Sequence, residues 1–221
     1  MKDLIIFDLD GTLADTTDGL GLAMVQMLEK LKLPGRSREE LCSFISYGAR
    51  DFVCHCLPSG YCDGIDGSKK LDDACEMYLG FYLDSCDKDT FLYDGIYELL
   101  TKLKSEGYKM AVLSNKPYPF TAKIIQKLTP DMFDYVLGIV SEPPKPDPYC
   151  ANLIAHKLGY SNENTIVIGD STLDYLTAKN SNMKHICVTY GFRSEEELRA
   201  VGATNLVHSP NELYDAIKSL E

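Results

Sequence analysis

The first apolar stretch, Leu4-Ile5-Ile6-Phe7, is short and continuous and breaks abruptly at Asp8-Leu9-Asp10-Gly11-Thr12. That is the pattern of a strand buried on both faces and ending in acids. Leu20, Met24, Met27, Leu28 and Leu31 then recur on one face of an amphipathic helix that Pro34-Gly35 stops. From about 38 to 88 the pattern stays helical, in pieces broken by Pro58-Ser59-Gly60 and Gly64, with no strand signal. From about residue 92 helix and strand periods alternate. Ile96, Leu99, Leu100 and Leu103 predict a helix ended by Gly107, and Met110-Ala111-Val112-Leu113 a strand that runs out at Ser114-Asn115-Lys116. Phe120, Ile124 and Leu128 predict the next helix, and 135–140 the next strand. Asp147-Pro148 opens a helix to Leu158 that Gly159 ends, 165–168 is a strand leading into Gly169-Asp170, and 185–189 is another. Ser209-Pro210 caps a last helix carrying Leu213, Ala216, Ile217 and Leu220.

Strands alternating with helices of this length predict an α/β fold, a doubly wound, Rossmann-like parallel sheet with right-handed crossovers. The core would comprise residues 1–14 and 89–221, with a helical domain inserted at 15–88 and hinges near Ala14-Asp15 and 88–91. In such sheets ligands bind at the carboxyl ends of the strands. The residues expected there are Asp8, Asp10, Ser114 and Asp170, with Lys145 held on a stiff loop between Pro144 and Pro146.

Composition narrows the choice of partners. The 221 residues allow one or two domains, and 45% hydrophobic with 25% charged residues is ordinary for a globular protein. Against 22 basic residues stand 33 acidic ones, a net charge of −11, which would repel a nucleic-acid backbone or an anionic membrane. No apolar run approaches the roughly 18–20 residues of a membrane span, and acids interrupt the N-terminal MKDLIIFDLD, so the expectation is a soluble, cytoplasmic protein, monomer or homodimer. The eight cysteines do not space like a disulfide framework and are expected as thiols. Cys54-His55-Cys56 with Cys62 lacks zinc spacing, and on a helix Cys54 and Cys56 point apart, so packing is the expected role. His156, His185 and His208 lie away from the strand ends, and Asp63, Asp66, Asp72 and Asp73 are expected on a solvated face.

Asp8 and Asp10, two apart in extended chain, point to one side. Alone, such a pair reads more readily as two solvated loop acids. Asp170, in Gly169-Asp170-Ser171-Thr172-Leu173-Asp174, alters the balance, because three or four carboxylates at one sheet edge repel one another unless a cation joins them. Hard oxygen ligands suit Mg²⁺, whose octahedron a substrate phosphate and water can complete. Lys145 and Ser114 would contact that phosphate, and the Thr12 hydroxyl could orient an acid.

Taken together, Asp8-Leu9-Asp10-Gly11-Thr12-Leu13, Leu113-Ser114-Asn115-Lys116, Lys145-Pro146-Asp147-Pro148 and Gly169 to Asp174 occur in the order of the four motifs of the haloacid dehalogenase superfamily of phosphotransferases, which the chain resembles along essentially its whole length. The helical insertion matches that family's cap in size and position. The resemblance implies that Asp8 is a nucleophile forming an aspartyl-phosphate and that Asp10 protonates the leaving oxygen and then activates water. It implies Mg²⁺ held by the Asp8 side chain, the Asp10 backbone carbonyl and Asp170, with Asp174 orienting a ligand from behind. Lys145, Thr12, Ser114 and Asn115 would offset phosphate charge. Retention of Asp10 disfavours carbon–halogen and phosphonate cleavage. Leu20, where β-phosphoglucomutase relatives carry histidine, favours hydrolysis over a mutase. The motifs with Tyr93-Asp94-Gly95-Ile96 and Tyr190-Gly191 look most like the phosphoglycolate phosphatase group, so 2-phosphoglycolate is the expected small phosphorylated substrate. In the cap, Tyr47-Gly48-Ala49-Arg50 matches a substrate-choosing turn, with Arg50 able to fork a carboxylate. Pyrophosphatase, 5'-nucleotidase and sugar phosphatase share all four motifs, and a non-catalytic phosphate-binding protein is the alternative from another class.

Overall fold

A computed structural model describes residues 2–45 and 47–220. Leu4–Phe7 (β1) is wholly inaccessible to solvent and lies at the centre of the sheet. It pairs in parallel with Lys109–Pro117 (β4) on one side and Thr165–Gly169 (β6) on the other, Phe7 level with Val112 and Ile168. With Tyr135–Ile139 (β5), Lys184–Val188 (β7) and Leu206–Val207 (β8) the order is β5-β4-β1-β6-β7-β8, all parallel. This is the doubly wound sheet expected from the alternation. Burial on both faces explains the unbroken apolar runs. Ile5 and Phe7 join a core with Leu100 and Leu103 of Ile96–Ser105 (α5) and Leu213 and Ile217 of Pro210–Leu220 (α10). Leu4 and Ile6 face the opposite core with Ala151 and Ile154 of Tyr149–Leu158 (α7) and Ala178 of Thr172–Asn180 (α8).

Between β1 and β4 the chain leaves the sheet. Ala14–Asp15 (β2) and Phe91–Leu92 (β3) form an antiparallel ribbon, so the outgoing and returning segments run side by side where the sequence placed hinges. Strands of two residues carry no periodicity, so this ribbon escaped the pattern. Between them lie Thr17–Lys30 (α1), Arg38–Phe44 (α2), Ala49–Cys56 (α3) and Gly67–Ser85 (α4). Met24, Met27, Tyr78 and Tyr82 bury α1 and α4 together. Phe52, Tyr78, Tyr82 and the core residue Phe120, of Tyr118–Leu128 (α6), form a continuous row with ring centroids 5.6, 5.6 and 4.9 Å apart.

Two further departures have local causes. Glu195–Ala200 (α9) buries only Leu198, too little for periodicity, although its Ser194 and Glu197 capping box was written in the sequence. The helix expected from Asp147-Pro148 starts at Tyr149, whose N–H donates to Asp147 Oδ1 (2.8 Å). Among the described residues no helix is long and apolar enough to cross a membrane, and all eight cysteines are free thiols.

At Gly19 α1 touches the end of α4. Ser85 Oγ donates to Gly19 O (3.0 Å), and a Cβ on Gly19 would stand 2.7 Å from the Ser85 carbonyl oxygen. Gly19→Ala is therefore expected to destabilise the fold by about 1–3 kcal/mol through overpacking. A urea midpoint unchanged from wild type, at unchanged slope, would show that the two helices do not meet this closely.

Candidate active site

The chain moves outward in one direction after β1, through β4 to β5, and in the other after β6, through β7 to β8. The crevice between β1 and β6 is thus the topological switch point. Asp8 follows β1 and fixes its level by donating its N–H to Ile168 O (2.8 Å), while Asp170 follows β6.

Three carboxylates converge there. Asp8, Asp170 and Asp174 each present an oxygen within 4.8 Å of the others, and all three are buried. Each is held separately. Asp8 Oδ1 accepts from Leu9 N–H (2.7 Å). Asp170 accepts from Thr12 Oγ1 (3.2 Å) on one oxygen and from Phe192 N–H (2.7 Å) on the other. Asp174 Oδ2 closes the capping box at the start of α8, taking Ser171 N–H (3.0 Å) and the Ser171 hydroxyl (2.6 Å). Lys145 inserts its ammonium between them, 2.8 Å from Asp8 Oδ1 and 2.6 Å from Asp174 Oδ1. Asn115 clamps the lysine's backbone, accepting Lys145 N–H (2.8 Å) and donating to Lys145 O (3.1 Å).

One ammonium faces three carboxylates, so the group is short of positive charge. Burial, then Asp174, pushes the Asp8 carboxyl well above its usual range despite Lys145. Burial and Asp174 also lift Asp170 to about 7, against the pull of the Phe192 N–H. For Lys145 burial alone would lower the pKa, but Asp174 and Asp8 outweigh it and hold the ammonium charged. A small hard cation would relieve this deficit, and the donors are of the type it takes. The space is kept for Asp170 by two glycines: a Cβ on Gly11, at φ +82°, or on Gly191 would collide with its carboxylate. Among the described residues no other cluster of His, Cys, Asp and Glu has metal-holding geometry.

Thr12 is fully buried and orients Asp170, in keeping with the expectation that its hydroxyl would hold an acid. Other placements differ from the sequence expectations. The Asn115 side chain clamps the backbone of Lys145. Asp174 stands in the carboxylate cluster itself, where it was expected behind it. The Asp10 side chain points the other way, accepting from Thr16 Oγ1 and from Lys116 Nζ (2.6 Å). Lys116, 6% exposed, also donates to Tyr82 OH (2.7 Å), tying the inserted helices to Asp10. The sequence flagged neither Lys116 as a functional residue nor Tyr82. A lysine closing an otherwise apolar strand was a usable signal for the first; for the second, no local signal exists.

The cavity above Asp8 and Asp10 measures about 50 Å³. Its floor includes Ser114, Asn115, Lys116 and Lys145, and its roof Leu20, Ile45, Gly48, Ala49, Phe52, Tyr78, Leu79 and Tyr82. The Tyr47–Arg50 turn therefore reaches the site through Gly48 and Ala49. Arg50 itself points outward, 53% exposed and paired with Asp72, and Tyr47 lines a separate groove, so neither meets the cavity. A clasp that went unread holds roof to floor: Arg193 donates to the carbonyls of Cys42 (3.2 Å), Ser43 (3.0 Å) and Ile45 (2.6 Å) at the end of α2. This is the place where a guanidinium suits a helix's free carbonyls.

With this geometry in view, the likeness to known proteins is informative. The sequence model of the haloacid dehalogenase-like hydrolases matches residues 5–188. A phosphoglycolate phosphatase of Colwellia psychrerythraea is 30% identical over 226 residues, covering 98% of this chain and 97% of the relative. That of Nitrosococcus oceani is 28% identical over 222 residues, covering 97% and 96%. The crystal structure of a Lactobacillus delbrueckii subsp. bulgaricus protein, provisionally named phosphoglycolate phosphatase, superposes with a TM-score of 0.87 at 30% identity, covering 98% of this chain and 99% of that one. The chain belongs to the haloacid dehalogenase-like hydrolase family. The expectation of an enzyme of phosphatase class is borne out by this membership and by relatives matched over nearly their full length.

Removing the ammonium leaves the three carboxylates uncompensated. Lys145→Met is expected to cost about 3–5 kcal/mol in urea unfolding with EDTA present, whereas Lys69→Met on the exposed surface stays within about 0.5 kcal/mol. A loss below about 1 kcal/mol for Lys145→Met would contradict the buried pairing.

Proposed function

We propose that the chain hydrolyses a small phosphomonoester through a phosphorylated Asp8, with Mg²⁺ as cofactor. The observation that carries this is the state of the Asp8 carboxylate at the base of the cavity: Oδ1 is fixed by Leu9 N–H and Lys145, and Oδ2 has no partner among the described residues. That oxygen is the one we assign to attack phosphorus. Its bond to phosphorus forms as the ester P–O bond breaks, and the departing alcohol oxygen takes a proton from Asp10. In the second half a water oxygen bonds to phosphorus as the Asp8–phosphorus bond breaks, and Asp10 receives the water's proton. Lys145 and the Ser114 hydroxyl, whose proton has no acceptor among the described residues, face the incoming phosphate. Asp8, Asp170 and Asp174 would hold Mg²⁺, which when bound supplies positive charge beside the phosphoryl oxygens.

Residues 15–88 act on this reading as a cap. The β2–β3 ribbon is its hinge, and the Arg193 clasp and the Lys116–Tyr82 bond hold it closed over the cavity. A closed cap excludes bulk water during attack on phosphorus and must open to release product. The relatives' names make 2-phosphoglycolate the leading substrate. With Arg50 turned outward, the carboxylate fork expected from the sequence is not its means of recognition.

Phosphate release is to be measured on 2-phosphoglycolate, sugar phosphates, nucleotides and pyrophosphate. Turnover is expected to stop with EDTA and return with Mg²⁺, to fall at least about a thousandfold in Asp8→Asn, and to fall about 10²- to 10⁴-fold in Asp10→Asn. Turnover that survives in Asp8→Asn would overturn the mechanism. A first preference for a compound other than 2-phosphoglycolate would overturn the substrate alone.

A further inference from the structure

A tyrosine of the cavity lining carries a buried hydroxyl with no hydrogen-bond partner among the described residues. This is Tyr78, in α4, which is 1% exposed and lines the cavity together with Asp8, Asp10 and Lys145. An orphaned buried hydroxyl costs about 1–3 kcal/mol. In a folded protein such a group calls for a physical reason, and a role in binding or catalysis is one. The ring is not free to look for a partner elsewhere, since it is packed between Phe52 and Tyr82, each 5.6 Å away by ring centroid, the latter nearly parallel at 10°. Of two stacked tyrosines on one helix, the Tyr82 hydroxyl meets Lys116, and the Tyr78 hydroxyl has no partner among the described residues. The other side chains of the roof, among them Leu20, Ile45, Phe52 and Leu79, are apolar.

We propose that Tyr78 reads the leaving group, donating its phenolic hydrogen to an oxygen on the alcohol half of the substrate. The class of substrate it selects is a short phosphate ester whose leaving group carries a hydroxyl, carbonyl or carboxylate oxygen beyond the ester oxygen, against a bare alkyl ester of equal length. This rests on the phosphatase reading and adds to it a specificity-determining residue, in the part of the chain that no motif covers. The phenol is suited to donate. Burial, then the neighbouring Tyr82 and Asp10, pushes its ionisation well above the ordinary value, so it keeps its proton at neutral pH. A site built around a hydrogen bond also rejects an analogue lacking the partner far better than an apolar pocket rejects an extra group.

The test compares kcat/KM within matched pairs, 2-phosphoglycolate against ethyl phosphate and glycerol 3-phosphate against propyl phosphate, for wild type and Tyr78→Phe. Wild type is expected to favour the oxygenated member of at least one pair by about tenfold or more, equivalent to about 1.4 kcal/mol. In Tyr78→Phe that ratio is expected to fall toward one through loss on the oxygenated ester. Tyr78→Phe removes an unsatisfied group, so a thermal midpoint at or above wild type is also expected without substrate. A wild-type ratio near one in both pairs, which needs no variant to fold, would overturn the proposal, as would a ratio that Tyr78→Phe leaves intact. Absence of Asp8-dependent release from every ester would instead overturn the phosphatase reading itself and take this proposal with it.

Discussion

Everything at the carboxyl edge of the sheet follows from a charge imbalance: three buried carboxylates packed around one buried ammonium. Such a group is costly to assemble, and the surrounding structure is organised to bear it. The Leu9 and Phe192 backbone N–H groups and the Thr12 hydroxyl each make one hydrogen bond to a carboxylate, and Ser171 makes two to Asp174. Asn115 fixes the lysine's backbone, and Asp8 and Asp174 hold its ammonium. These contacts join β1, β4, β6 and the loops after them, which is why the site can exist only after the sheet has formed. The deficit that remains is what makes the cluster a place for a divalent cation and a phosphoryl group, on the mechanism proposed above.

A second set of contacts links this edge to the inserted helices. The three residues Gly191, Phe192 and Arg193 touch Asp170 with backbone at one end and grip the carbonyls of α2 with a guanidinium at the other. Lys116 does the same between Asp10 and Tyr82. Asp170 and Asp10 are therefore each linked to the roof, one by a short loop and the other through Lys116. On the proposed reading, the position of the cap and the state of the acids are parts of one arrangement, and a substrate that satisfies the roof favours the closed form.

What the sequence disclosed was what the chain encodes locally. Asp8, Asp10 and Asp170 stand immediately after apolar strand runs, and Lys145 is set off by flanking prolines, so the parallel-sheet pattern alone sent them to one edge. Their order then pointed to the family. Residues whose roles arise from distant contacts were not legible. Arg193 meets carbonyls about 150 positions earlier, and Tyr82 meets Lys116 thirty-four positions later. Tyr78 reads as ordinary helix core until its hydroxyl is seen to lack a partner. Arg50 was misplaced for the same reason in reverse: its position in a glycine-bearing turn suggested the cavity, but Asp72 on the neighbouring helix holds it at the surface. Thr12 was read as a hydroxyl that could orient an acid and does so on Asp170, whereas Asn115 was found as a site residue without its clamp on the Lys145 backbone, because that contact lies thirty positions away in the chain.

The central claim is that Asp8 becomes covalently phosphorylated, and the most direct measurement is chemical trapping. Enzyme mixed with Mg²⁺ and its best substrate is quenched with acid during turnover and reduced with borohydride, which converts an acyl phosphate to an alcohol. Peptide mass spectrometry is then expected to find homoserine at position 8 and at no other aspartate. Steady phosphate release with Asp8 unmodified under the same quench would contradict the account and assign the cluster to activating water directly.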